Sequence, residues 1–74
     1  KDGFEVKNEG EGIFTVSGGL MEQLGRRVVL DDYESFSFFQ KMLRQRGVIS
    51  ALRKAGAKDG DTVLIGDIEF DFVD

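Results

Sequence analysis

Ala55-Gly56-Ala57-Lys58-Asp59-Gly60-Asp61-Thr62-Val63-Leu64-Ile65-Gly66-Asp67-Ile68-Glu69-Phe70-Asp71-Phe72 decides the architecture. It reads as the end of a helix, a tight loop and a β-hairpin. Gly66-Asp67 suits a two-residue turn with glycine first, whose positive φ matches the twist of the flanking strands. That turn sets Ile65 opposite Ile68 and Val63 opposite Phe70. Period two then sends Val63, Ile65, Ile68, Phe70 and Phe72 to one face, and Leu64, Glu69 and Asp71 to the other. A slip of one residue would expose the large apolar side chains, so the register is strongly specified. This hairpin predicts one wall of a core.

Working outward, Gly56 ends a short helix over residues 49–55, with Leu52 inward and Arg53 and Lys54 outward. Before it, residues 33–46 place Phe36, Phe39 and Leu43 at i, i+3 and i+7, with Met42 beside them, which predicts an amphipathic helix. Asp32 with Ser35, or Asp31 with Glu34, supplies its N-cap. Lys41, Arg44, Gln45 and Arg46 load its last turns, and Gly47 is the expected terminator with Val48 as the contact after it. Phe38 lies off the apolar stripe. It either packs on the first helix or the connector Val28-Val29-Leu30, or it stands exposed as an aromatic anchor beside Lys41 and Arg44.

Further upstream, residues 20–27 have helical spacing, with Leu24 three or four positions from Met21 and Leu20. Gly25 weakens that helix by about 1 kcal/mol relative to Ala. Phe4-Glu5-Val6-Lys7 alternates as a strand, Asn8-Glu9-Gly10-Glu11-Gly12 reads as a long turn, and residues 13–17 form a second strand with Phe14 and Val16 inward. The predicted order is β-β-α-α-α-β-β. Two hairpins share a roughly four-stranded sheet, and about three helices cover one face, an α+β fold.

The 74 residues predict one small domain with a thin stability margin. With no cysteine there is neither a disulfide framework nor a thiolate metal site, and with no histidine the usual general base is missing. No apolar run approaches a membrane span. The chain begins at Lys1, which suggests a piece excised from a longer protein. No catalytic, cofactor or metal residue is expected. Gly10-Glu11-Gly12 opens a strand and lacks the third glycine of a dinucleotide loop, and no phosphate-binding P-loop occurs. Asp59-Gly60-Asp61 lacks the ligand pattern of a calcium loop and predicts local backbone capping. Asp67, Glu69 and Asp71 predict a charged edge that discourages strand addition.

Charge is segregated along the chain. Residues 26–58 hold eight Lys/Arg against three Asp/Glu, whereas residues 59–74 hold six carboxylates and no base. The candidate partner surface is therefore Arg26, Arg27, Lys41, Arg44, Arg46, Arg53 and Lys54, with Phe38 as apolar anchor. Intramolecular charge balance on a solvated surface explains the same pattern. An RNA-binding module using the basic central helices is the alternative function, and a small-ligand pocket between helices and sheet is a third.

The run Arg46-Gly47-Val48, Ala51-Leu52-Arg53, residues 55–63, Ile65-Gly66-Asp67 and Glu69-Phe70-Asp71-Phe72 resembles the C-terminal domain of Obg-family GTPases. Phe4-x-Val6 and Phe14-x-Val16-Ser17-Gly18 are similar to that domain's opening hairpin. The resemblance implies a non-catalytic, regulatory domain of a cytoplasmic GTPase tied to large ribosomal subunit assembly and to growth and stress control. It implies GTP and magnesium as cofactors of the parent only. As partners it implies the GTPase domain in cis, the large ribosomal subunit or other proteins, with no membrane and a monomeric fragment. None of the family's phosphate, magnesium or guanine motifs occurs in these residues. Phe36-Ser37-Phe38-Phe39 departs from the charged, leucine-bearing helix expected of the family.

Overall fold

A computed structural model describes residues 3–26 and 32–74, apart from the side chain of Leu20. The element order is β1 (Glu5–Gly10), β2 (Ile13–Ser17), α1 (Gly19–Arg26), α2 (Tyr33–Gln45), α3 (Val48–Lys54), β3 (Thr62–Ile65) and β4 (Ile68–Asp71). The four strands form one sheet in the order β1-β2-β3-β4. The two hairpins are antiparallel, and they join through a parallel β2–β3 pair with Phe14 beside Val63 and Val16 beside Ile65. A parallel join needs a long crossover, and the three helices lie in it.

The expected register of the last hairpin holds: Ile65 pairs with Ile68 and Val63 with Phe70. Gly66 takes φ 57°, as the turn requires. The strand alternation then delivers Val63, Ile65, Ile68, Phe70 and Phe72 to the core, where they join Phe14, Val16, Met21, Phe39, Leu43 and Leu52. Phe36, Phe39 and Phe70 meet at ring-centroid separations of 5.9–6.2 Å, two of the three pairs edge to face. This aromatic cluster seats α2 on β4. Helix and sheet layers are thus joined by interlocking apolar side chains.

Local details differ from expectation in three places. β1 runs on to Gly10, so the predicted long turn shrinks to Glu11-Gly12. A register irregularity between Asn8 and Gly10 absorbs the extra residue, and positive φ at Gly10, Glu11 and Gly12 closes the hairpin. The α2 cap is Asp32, as expected, and its side chain accepts from the Glu34 amide; Asp31 lies outside the described residues. Gly47, at φ 82°, separates α2 from α3, and Val48 is already the first residue of α3. Finally, Gly25 does not fray α1. It is buried against the β3–β4 turn, where a Cβ would sit 2.9 Å from the Ile65 carbonyl oxygen. The connector at residues 28–30 lies outside the described residues.

Candidate functional site

The helix layer carries the basic face. On α2 the apolar stripe of Phe36, Phe39 and Leu43 faces the sheet, which leaves Glu34, Phe38, Lys41 and Gln45 on the opposite side of the helix. Phe38 is 60% exposed, so it is an outward aromatic and not a core residue. The reading that packs it onto α1 is thereby set aside. Lys41 lies one turn from Phe38 and is exposed, as are Arg44 near the end of α2 and Arg46 at its C-cap. Arg53 and Lys54 project from the last turn of α3. Arg26 is exposed at the end of α1, and Arg27 lies outside the described residues.

One of these cations, Arg53, is engaged within the chain. The Asp74 carboxylate accepts from Arg53 Nε at 2.8 Å and also from Arg53 Nη2. The hydrogen bond from Arg53 holds the Asp74 carboxyl below the usual carboxylate range, and the Arg53 and Arg44 charges add to the effect against some desolvation. The same bond holds the Arg53 guanidinium more firmly protonated. Asp74 is itself aimed from behind, because its backbone N–H donates to Asp59 Oδ1 at 2.8 Å. Asp61 caps its loop locally, as expected, accepting from the Lys58 amide at 2.9 Å, whereas Asp59 accepts from the Asp74 amide, fifteen positions away. Sequence reasoning did not pair Arg53 with Asp74. Arg53 and Asp74 are 21 positions apart, and no local period signals such a pair.

The other face of the sheet has the opposite sign. Glu5, Glu9, Glu69 and Asp71 are exposed there with Lys7, around the half-exposed Ile13, Thr15 and Leu64. Thr15 Oγ1 donates to Glu9 at 2.9 Å across the first hairpin. The edge strand β4 shows outward carboxylates, consistent with the expected protection against strand addition. Between the faces, Asn8 Nδ2 donates to the Ala55 carbonyl at 3.2 Å and ties β1 to the end of α3. Among the described residues no group of three or more acidic side chains could hold a metal ion. No described helix is long and apolar enough to cross a membrane.

Residues 4–72 match a family model described as Domain of unknown function (DUF1967). The chain is also similar to proteins named GTPase Obg. It is 49% identical over 73 residues to that of Brevibacillus brevis, 45% over 71 residues to that of Listeria monocytogenes and 39% over 69 residues to that of Acetivibrio thermocellus. These alignments take in 93–99% of this chain but 16–17% of each relative.

Proposed function

This chain belongs to the DUF1967 family, the C-terminal domain of Obg GTPases, and from that premise we propose that it is a non-catalytic interaction domain of a longer GTPase. The GTP-binding domain of those relatives is not part of the matched region. The chain's contribution is therefore contact, not turnover. In this reading GTP and magnesium belong to a GTPase domain in cis, the whole protein is cytoplasmic, and it acts in large ribosomal subunit assembly and in growth and stress control.

The observation that carries the contact role is the exposed Phe38 beside Lys41 on a helix layer that also carries Arg44, Arg46, Arg53 and Lys54. An outward aromatic flanked by cations on a rigid helix gives an anchor and a steering field together. The helix layer is the contact face, and ribosomal particles are its target. Full-length protein with Lys41→Glu, Arg44→Glu and Arg53→Glu tests this. Three lost exposed charge contacts, each worth about 0.5–1 kcal/mol, should weaken association with ribosomal particles by about ten- to a hundredfold. Unchanged co-sedimentation would show that the face is wrong. RNA recognition by this chain alone is a separate outcome, read as a salt-sensitive gel shift with ribosomal RNA.

A further inference from the structure

We propose that this chain pairs with a second copy of itself through the outward face of α2. The two helices run antiparallel and meet at Phe38, with Glu34 of each copy opposite Lys41 of the other. This pairing is independent of the ribosomal-particle contact.

Three features of α2 support it. First, Glu34, Phe38, Lys41 and Gln45 follow one another at spacings of four, three and four residues on the side away from the sheet. That alternation keeps one stripe turned toward a partner helix. All four residues are exposed. Second, the stripe has an aromatic at its centre, so pairing takes two Phe38 rings out of water together. Third, the charges along the helix are self-complementary. Acid lies at the start, with Asp32 at the N-cap and Glu34 in the first turn, and base at the end, with Lys41 and then Arg44 in the last turn.

The spacing makes that complementarity geometric. A helix rises about 1.5 Å per residue, so Glu34 lies about 6 Å before Phe38 and Lys41 about 4.5 Å after it. A two-fold axis beside Phe38 therefore brings Glu34 of one copy level with Lys41 of the other, to within about 1.5 Å along the helix. Symmetry repeats the pair on the far side of the axis. Parallel helices would instead set Glu34 beside Glu34 and Lys41 beside Lys41, so charge selects the antiparallel arrangement and fixes its register. One helix face is a small contact by the standard of stable dimers, which makes the pair weak and transient. It covers Phe38 and Lys41, so the paired form and a form that uses this face for another partner exclude one another.

The test follows translational diffusion and amide NMR spectra of the chain from dilute to near-millimolar concentration. Wild type should diffuse more slowly as concentration rises, with shifts confined to the outward residues of α2. Phe38→Ala should abolish both effects. Glu34→Lys and Lys41→Glu should each weaken pairing about five- to thirtyfold, because symmetry replaces two exposed ion pairs with two like-charge pairs. An equimolar mixture of the Glu34→Lys and Lys41→Glu chains should recover the association, since each reversed end then meets its complement. These positions are exposed, and the dilute spectra verify that each variant keeps the fold. Concentration-independent diffusion of wild type overturns the proposal, as does failure of the mixture to recover. Glu34→Lys that pairs as well as wild type also overturns it. If Glu69→Gln with Asp71→Asn then abolishes that association, the helix layer docks on the acidic sheet face of another copy instead. Co-sedimentation with ribosomal particles judges the contact role separately.

Discussion

Gly25 shows how a residue that looks like a local defect serves the packing. In an exposed helix, Gly to Ala gains about 1 kcal/mol of helix propensity. At this position the added Cβ would lie 2.9 Å from the Ile65 carbonyl oxygen and 3.4 Å from Ile68 Cγ1. The first neighbour is backbone inside a paired hairpin, so it yields poorly. Overpacking of this kind costs about 1–3 kcal/mol and outweighs the propensity gain. Gly25→Ala should therefore lower stability by up to about 2 kcal/mol after the two effects are combined, read as a lower urea midpoint. A raised midpoint would mean that α1 does not sit against the β3–β4 turn. Only the spacing in three dimensions distinguishes this glycine from an ordinary helix breaker.

At the scale of the element, α2 separates two kinds of phenylalanine three residues apart or fewer. Phe39 is 2% exposed and shares edge-to-face contact with Phe70, while Phe38 on the same helix is 60% exposed. Phe39→Ala should cost about 3–5 kcal/mol, a large fraction of the stability a domain of this size can have. Phe38→Ala should stay within about 0.5 kcal/mol of wild type. Denaturant unfolding of the two variants checks the contrast, and comparable losses would reassign Phe38 to the core. The helix itself was legible from its 3.6-residue apolar period and its aspartate cap. The exposure of Phe38 was not, because it lies beside the apolar stripe and its burial depends on which neighbour reaches that flank.

Across the whole molecule, the charge blocks along the chain become opposite faces. The basic residues of α2 and α3 crown the helix layer, and the outward residues of β1 and β4 make the far side of the sheet acidic. A partner attracted to one is repelled by the other, so the net charge of −4 conceals a directional molecule. If the helix layer is the contact face, added salt should weaken particle association steeply, while Glu69→Gln with Asp71→Asn should leave it within about twofold, the effect of distant exposed charges. Salt-insensitive association, or a change of tenfold from the sheet-face variant, would place the contact elsewhere. Co-sedimentation at several ionic strengths reads both.

The amino-acid sequence by itself determined both hairpins, the amphipathic helix, the basic centre of the chain and the family, because period, turn chemistry and residue order are local properties. The tertiary structure alone decided that β2 and β3 pair in parallel at the centre of the sheet, that Gly25 is a packing contact and that Asp74 returns to Arg53. Those contacts join residues far apart in the chain. Their partners are chosen by what the folded layers bring within reach, and no repeat in the sequence encodes that choice.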